Sequence, residues 1–260
     1  MLAVIISKTE PYLNGATLIK EACASLQLNC DILYIEDVLS DEKMFFQKHK
    51  SGRLIYFLTN VDSVPKCANY FEYSPRNTLI NRDFLISRKT KFSVQTRLRL
   101  AGVNVPDSLI VTDENLFGEI LQRLRLPLYI KSQQQTSIVI RVETEKEFHD
   151  NILGRSAENF YFEESANLEK FYLEKIYYVD GYIESKNEEF VITDILRTEL
   201  KNISNVLNLD VYSADIFVSI NSDTYLYIDI NPSPGLFQSS EARIHLAKYI
   251  LSKLSTAYDQ

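Results

Sequence analysis

The stretch that decides the fold is Tyr227–Gly235, with the sequence YIDINPSPG. Asp229 lies inside an apolar β pattern, where a carboxylate is costly unless something compensates its charge. Asn231 follows two residues later and therefore points to the same face of the strand. An earlier apolar run, Ala214–Phe217, contains a second carboxylate, Asp215. The two runs flank a short turn sequence, so we predict a β-hairpin that carries both acids.

Two carboxylates and an amide oxygen on neighbouring strands suit a hard cation that prefers oxygen ligands. Mg²⁺ in proteins usually keeps water or phosphate oxygens in its other positions, so the pattern predicts a site for metal and phosphate. The alternative is a half-exposed hairpin whose polar residues face solvent. The residues alone leave both interpretations open, because the Pro-Ser-Pro-Gly that follows indicates only a turn.

The N-terminal part of the chain alternates apolar runs with a helical pattern. Residues 2–6, 31–35 and 53–59 predict strands, and residues 15–28 predict a helix with one apolar stripe. An alternation of strand and helix is typical of a parallel sheet. We therefore predict a small α/β domain over residues 1–80.

From residue 81 onward the patterns of helices and antiparallel strands are interleaved, which predicts an α+β body behind the α/β N-terminal lobe. We divide this body into domains 81–175 and 176–260. The predicted helices are 88–101, 114–124, 144–153, 199–207 and 239–256, and the predicted strands are 108–112, 128–131, 137–142, 171–177, 181–184, 190–196, 213–220 and 225–230.

Composition argues against several classes of partner. The 260 residues carry a net charge of 28 − 35 = −7, which is unfavourable for binding a nucleic-acid backbone. The three cysteines have no metal-binding spacing and indicate reduced thiols in the cytosol. No apolar run approaches the length of a membrane span. We therefore expect a cytoplasmic protein that binds neither nucleic acid nor membrane.

The acidic hairpin resembles the C-terminal signature of the ATP-grasp superfamily, which reads Asp, a hairpin, then Glu-x-Asn-x-x-Pro-Gly. Asp229 stands where the family more often has Glu and keeps the carboxylate. The resemblance implies an ATP-grasp fold, with two α+β lobes that clamp ATP behind the parallel-sheet lobe. It also implies that Asp215, Asp229 and Asn231 bind Mg²⁺ or Mn²⁺ on the ATP phosphates. The RimK-like (glutamate-ligase-like) branch is the most similar.

Two lysines fall where the family has phosphate-binding lysines. Asn81–Pro106 is similar to the family segment in which an asparagine and then a lysine precede a helix and a Gly-Ile-Pro-like turn, which implies a phosphate role for Lys91. Leu126–Lys131 resembles the family strand that ends in a phosphate-contacting lysine. A solvated helix lysine at Lys91 and a solvated strand end at Lys131 remain the alternatives.

A third segment resembles the adenine-binding hinge of the family. Phe171–Ile176 matches it, so the resemblance implies that Glu174 and the backbone of Lys175 and Ile176 contact adenine. Asp180 falls near the position of the ribose-contacting acid. Both acids have the alternative of a plain surface position.

The resemblance implies an ATP- and Mg²⁺-dependent, ADP-forming ligase that joins a carboxylate to an amine through an acyl phosphate. Its substrates would be amino acids, other small molecules or peptides. Two alternatives stay open, a kinase-like ATP-grasp phosphotransferase and a nucleotide-binding protein with little catalysis. Such transfer depends on positioning and charge neutralisation more than on a protein nucleophile. Related enzymes often form dimers or tetramers, so a homo-oligomer is also open.

Three features depart from the family pattern. The loop Ser132–Ser137 lacks the glycines that usually cover the phosphates. Tyr182 stands where the ligase branch commonly has an arginine, which leaves Arg197 and Arg141 as candidates for the phosphoryl charge, with Arg197 favoured because it follows a predicted strand. The segment between Ile195 and Asp215 is short, which favours a larger substrate such as a peptide or a carrier-bound group.

Overall fold

The structure is a computed structural model that describes residues 2–8, 12–41, 53–58, 77–86, 90–133, 138–154, 160–166, 169–234 and 240–258. The strands are β1 Leu2–Ile6, β2 Cys30–Tyr34, β3 Arg53–Phe57, β4 Asn77–Leu79, β5 Ser108–Leu109, β6 Leu128–Ser132, β7 Val139–Val142, β8 Phe160–Glu164, β9 Phe171–Val179, β10 Tyr182–Ser185, β11 Val211–Ser219 and β12 Tyr225–Asn231. The helices are α1 Leu13–Ser25, α2 Ile35–Ser40, α3 Arg82–Ile86, α4 Lys91–Leu100, α5 Phe117–Arg123, α6 Glu145–Ile152, α7 Asp194–Leu207 and α8 Ser240–Tyr258.

The chain divides into two compact units. The first unit comprises Met1–Arg88, Lys175–Ala214 and Ile230–Gln260, and the second comprises Lys89–Glu174 and Asp215–Asp229. None of the described helices is long and apolar enough to cross a membrane.

The first unit contains the predicted N-terminal parallel sheet, which is confirmed. Its strand order is β2-β1-β3-β4, and every neighbouring pair is parallel. Apolar strands of this kind are buried by helices, because a parallel sheet needs covered faces. Here α1 packs against α8, and one core cluster includes the buried Val4 of β1, Ile19 of α1 and Leu246 of α8.

The second unit contains an antiparallel sheet with the order β5-β8-β6-β7. One face of this sheet forms the core of the unit with α5 and α6. Buried residues from strand and helix meet there, among them Leu128, Ile130, Phe162, Ile120 and Phe148. Because side chains alternate along a strand, the residues between these strand positions belong to the opposite face.

A further sheet has the order β10-β9-β11-β12. A two-residue turn, Asp180-Gly181, joins β9 to β10 and pairs Val179 with Tyr182. Asp180 has φ 47° and Gly181 has φ 90°. A turn with two positive φ values matches the twist of a hairpin and favours Asp-Gly. Ser219 N donates to Thr224 O at 3.0 Å and closes the second hairpin, β11–β12, as the sequence predicts.

The prediction of a strand over residues 190–196 is wrong. Helix α7 begins at Asp194, five residues before the predicted helix start at residue 199. Thr193 is its N-cap, and its side chain accepts a hydrogen bond from Leu196 N at 3.2 Å. A capping hydroxyl favours helix initiation over continuation of a strand. Strand β8 has no counterpart among the predicted elements.

Candidate functional site

The second unit presents one polar face on the sheet that contains β6 and β8. Tyr129 pairs with Glu163, and Lys131 pairs with Tyr161, so these four side chains lie on the same face. This face is opposite the apolar face that carries Ile130 and Phe162. The local cause is the alternation of side chains in LYIKS and FYFEE, which sends every second residue away from the core.

Lys131 and Glu163 form a buried ion pair on this face. The side chain of Lys131 lies over the rings of Tyr129 and Tyr161, at 5.4 Å and 6.0 Å from their centroids. Lys131 is 7% exposed and Glu163 is 1% exposed, and Lys131 Nζ donates to Glu163 Oε1. The lysine is therefore buried, and the alternative of a solvated strand end does not apply.

The second oxygen of Glu163 has an unusual environment. Glu163 Oε2 is buried and has no hydrogen-bond partner among the described residues. Burial raises the pKa of the Glu163 carboxyl, the ammonium of Lys131 opposes the rise, and the carboxylate of Asp229 adds to it. A buried acceptor without a donor is costly, which makes this oxygen a candidate for contact with a ligand.

Lys91 and Asp229 form a second, more open ion pair. Lys91 is the first residue of α4, whose N-cap Thr90 accepts from Ser93 N at 3.1 Å. Its Nζ lies 3.5 Å from Asp229 Oδ1, with side-chain exposures of 23% and 37%. Gln95, one turn further along α4, donates to Ile228 O at 3.2 Å and so links the helix to the strand that carries Asp229.

The two ion pairs lie near each other within the second unit. The ring of Phe92, next to Lys91, is 6.1 Å from the ring of Tyr161. Burial raises the pKa of Tyr161, and the carboxylates of Glu163 and Asp229 raise it further. Two ammonium groups and two carboxylates are thus gathered in one region. Ammonium groups bind phosphate oxygens, and carboxylates bind a divalent cation, so the donor set fits a metal–nucleotide ligand.

The other two predicted metal ligands occupy half-buried strand positions. Asp215 lies in β11 and Asn231 ends β12. Asn231 Oδ1 accepts a hydrogen bond from Ser233 N at 2.9 Å. Within the described residues, no three His, Cys, Asp or Glu side chains are grouped to hold a metal ion. The predicted set has two carboxylates and an amide, and its convergence on one ion stays a prediction.

The segment predicted as the adenine hinge lies inside a sheet. Glu174 is 6% exposed, so a plain surface position does not apply to it. Lys175 O accepts from Lys186 N at 2.8 Å, and Ile176 is paired with Ser185 of β10. These backbone groups are therefore engaged within the sheet. The adenine contact of Glu174, Lys175 and Ile176 stays a prediction.

Three other predicted residues are exposed. Asp180 forms the tip of the β9–β10 hairpin, and the turn conformation by itself accounts for an aspartate there. Arg197 lies in the first turns of α7 instead of following a strand, which corrects the reason for favouring it. Arg141 forms a surface ion pair with Glu143, with Nη1 2.6 Å from Oε1. The loop residues 134–137 and Gly235 lie outside the described residues.

Glu163 is the residue of the candidate site that the sequence interpretation missed. The sequence does contain an indication of this strand, because Phe160-Tyr161-Phe162 is an aromatic run of the kind enriched in strands. Glu163 continues that run as a carboxylate in an apolar pattern, which is the argument already applied to Asp215 and Asp229. The pairing with Lys131 could not be read from the sequence, because the two residues are 32 positions apart.

Solved structures of ATP-grasp proteins have the same architecture as this chain. No protein-family model and no curated protein matches the sequence. A RimK domain protein, an ATP-grasp from Sphaerobacter thermophilus DSM 20745, is 12% identical with a TM-score of 0.68, over 96% of this chain and 99% of that chain.

Two peptide-binding proteins are equally similar. The macrocyclase MdnC from Microcystis aeruginosa MRC, bound with precursor peptide MdnA, is 13% identical with a TM-score of 0.69, over 97% of this chain and 100% of that chain. The ATP-grasp ligase PsnB, complexed with precursor peptide PsnA2 and AMPPNP, is 12% identical with a TM-score of 0.68, over 97% and 96%. The chain therefore has the ATP-grasp fold.

Proposed function

We propose that this protein is an ATP- and Mg²⁺-dependent ligase that joins a carboxylate to an amine, with release of ADP and phosphate. The observation that carries the proposal is the grouping of Lys91, Lys131, Glu163 and Asp229 in one unit of an ATP-grasp fold. Bound Mg·ATP would supply the phosphoryl group that activates the substrate carboxylate as an acyl phosphate.

The two lysines would bind and orient the polyphosphate. Lys131 is fixed by its neighbours, because its Nζ is paired with Glu163 and lies over the rings of Tyr129 and Tyr161. Lys91 is half-buried at the first residue of α4, where the helix dipole adds to its positive charge. Fixed cations of this kind neutralise phosphate charge without reorganisation.

Asp229, Asp215 and Asn231 would hold the metal, because carboxylate and amide oxygens are the ligands that Mg²⁺ prefers. Asp229 is already paired with Lys91, and a metal ion would compete with the lysine for this carboxylate. The Lys91 ammonium would then be available to bind the phosphates of the nucleotide.

Glu163 would contact the base of the nucleotide. Its free oxygen is a hydrogen-bond acceptor, and phosphate groups that are fully ionised offer no donor to it. The exocyclic amino group of adenine is such a donor. Glu163 is accordingly a further candidate for the base contact, beside Glu174.

A peptide is the substrate class that we favour. Among the solved structures, PsnB and MdnC are complexed with precursor peptides. In this chain, helix α7 ends at Leu207 and β11 begins at Val211, so the three residues between them leave no added segment to enclose a small acceptor. A peptide could supply its own contacts in place of such a segment. Arg197 and Arg141 remain our candidates for stabilising the transferred phosphoryl group.

The test is a phosphate-release assay with ATP, Mg²⁺ and a panel of acids and amines that includes peptides with Glu and Lys side chains. Ligation predicts phosphate and ADP only when both an acid and an amine are present. A stable phosphorylated product in the absence of an amine would indicate a kinase instead. Nucleotide binding without turnover on the whole panel would indicate a binding protein.

Variants make the assay specific to the site. Lys131→Met should abolish ADP formation, because the polyphosphate loses its buried cation. Lys146→Met is the matched control, since Lys146 lies on the exposed surface of α6 in the same unit. Equal activity of the two variants would contradict the assignment.

A further inference from the structure

We infer that Tyr56 and Asn81 are positioning residues that fix the metal ligand Asn231. They do so by holding the carbonyl groups of the turn Asn231–Pro234, which we call the ligand turn. The inference rests on the proposed function, because it assumes that Asn231 binds the metal. All of the contacts that carry it lie within the first unit.

Asn81 joins the ligand turn to the beginning of β11. Its Oδ1 accepts from Asp210 N at 3.0 Å and from Val211 N at 3.2 Å. Its Nδ2 donates to Val211 O and, at 2.7 Å, to Pro232 O. All four hydrogen-bonding positions of the amide are therefore used. Asn81 is 6% exposed, and these bonds span 129 to 151 residues of sequence.

The backbone of Asn81 is adapted to this role. Its φ is 57°, in the left-handed region that asparagine tolerates better than most residues. A helix, α3, begins at the next residue, so the side chain is held at the start of a fixed element. Glutamine would be too long, and aspartate would lack the two donors.

Tyr56 holds the other end of the ligand turn. Its hydroxyl donates to Pro234 O at 2.6 Å, and the residue is 1% exposed at β3 of the parallel sheet. Inside the turn, Ser233 N donates to Asn231 Oδ1 at 2.9 Å. Ser233 thus orients the side chain of Asn231. Its two neighbours, Pro232 and Pro234, are both held through their carbonyl groups.

The ligand turn needs such support for a chemical reason. Pro232 and Pro234 have no backbone N–H, and Ser233 N already donates to Asn231 Oδ1, so the two prolines can be anchored only through their carbonyl groups. Asn81 and Tyr56 supply the two donors. Mg²⁺ demands near-ideal ligand geometry, and residues that orient a ligand are worth about 10- to 100-fold in metal affinity. The N-terminal sheet is therefore part of the apparatus that positions the metal ligand.

Tyr56→Phe tests the inference, because it removes one hydroxyl and keeps the ring. Tyr212→Phe is the matched control. Tyr212 is also fully buried in the first unit, and its hydroxyl also donates to a backbone carbonyl at 2.6 Å, that of Leu200 in α7. A role in stability alone predicts the same behaviour for the two variants.

The readout is the dissociation constant of Mn²⁺, measured by electron paramagnetic resonance with the full chain and a saturating, non-hydrolysable ATP analogue. We expect Tyr56→Phe to weaken Mn²⁺ binding about tenfold and Tyr212→Phe to leave it unchanged, although both lower the melting temperature. Asn81→Asp keeps an acceptor oxygen and loses the two N–H donors of the amide. It should therefore also weaken Mn²⁺ binding.

Equal Mn²⁺ affinity in Tyr56→Phe and the wild type overturns the inference while the proposed function stands. Equal weakening in Tyr56→Phe and Tyr212→Phe also overturns it, because the effect would then follow general stability. A wild-type protein that binds no Mn²⁺ with the nucleotide analogue overturns the metal site itself, and the proposed function with it.

Discussion

At the scale of single residues, the buried pair Lys131–Glu163 is expensive to maintain. Two charges lose their hydration when they are buried, and their attraction repays the cost only when the geometry is good. Here the cost is increased, since Glu163 Oε2 has no donor among the described residues. Two apolar residues in place of Lys131 and Glu163 would lose less free energy on burial. The proposed use of both charges in ligand binding would explain why the pair is present.

Glu163→Gln should lower the free energy of unfolding by about 3 kcal/mol, because it leaves Lys131 as a buried charge without its counterion. Denaturant unfolding measures this change. The double variant Lys131→Met/Glu163→Gln should regain most of the stability, since it removes the unpaired charge. It should still fail to bind ATP. A double variant that binds ATP like the wild type would contradict the site.

Asp229→Asn should separate function from stability. The Lys91–Asp229 pair is partly exposed, and such pairs contribute no more than about 1 kcal/mol. We therefore expect little change in the unfolding curve and a loss of Mg²⁺-dependent ATP binding, measured by calorimetry. Asp223→Asn is the control, because Asp223 is exposed at the tip of the same hairpin. Unchanged Mg²⁺ dependence in Asp229→Asn would rule out the metal assignment.

At the scale of elements, helix α7 shows how a local signal was misjudged. Residues 190–196, FVITDIL, are rich in β-branched and apolar residues, which favours a strand. Thr193-Asp194 inside this run is also a helix start. The apolar residues Leu196, Leu200, Ile203 and Leu207 recur at helical spacing and are all fully buried. This longer periodicity outweighs the short β-like run.

Thr193→Ala should therefore destabilise α7 by about 1 kcal/mol, because Leu196 N loses its capping acceptor. Thermal unfolding monitored by circular dichroism would show the change. Thr198→Ala is the matched control, since the Thr198 hydroxyl bonds only to a carbonyl within the helix, Asp194 O. A larger loss in Thr198→Ala than in Thr193→Ala would show that the cap is not what begins the helix.

The contact between α8 and β10 should make stability depend on pH. The ring of His245 is stacked on Tyr182, with centroids 3.6 Å apart. Burial and the nearby Lys248 lower the pKa of His245, against the opposing pull of Glu241 and Glu184. The unfolded chain therefore binds this proton more readily than the folded protein. Stability is complete above the ordinary histidine pKa of about 6.5 and is lost as the pH falls through the folded pKa.

His245→Phe keeps the stacked ring and removes the titration. The fall in melting temperature between pH 7 and pH 5 should be smaller in this variant than in the wild type. The difference should correspond to less than about 1 kcal/mol, because the site is only partly buried. An identical fall in both proteins would show that other groups account for the acid sensitivity.

At the scale of the whole molecule, ligand binding should add stability that depends on the metal. If the site binds nucleotide, Mg·ATP at 100 times its dissociation constant adds about 2.7 kcal/mol. The melting temperature should rise with Mg²⁺ and ATP together. It should return to its starting value when a chelator removes the metal. A rise that is insensitive to the chelator would show that ATP binds without the predicted carboxylate site.

The fold was predictable where local patterns are strong. The parallel N-terminal sheet follows from apolar runs separated by an amphipathic helix, and the β11–β12 hairpin follows from two apolar runs around a turn. Strand β8 was not predicted, because FYFEE is short and ends in two acids. Its strand character is decided by pairing with β5 and β6 on both sides. A local sequence pattern cannot predict which strands will pair.

The sequence by itself determined that the chain combines an α/β part with an α+β part, and it predicts lysines for phosphate and carboxylates with an amide for a hard cation. Side-chain alternation along each strand is a local property, so it can be read from the residues. Only the tertiary structure decided that Lys131 meets Glu163, that Lys91 meets Asp229, and that Tyr56 and Asn81 hold the ligand turn. These contacts join residues 32 to 178 positions apart, and their geometry depends on how the sheets pack.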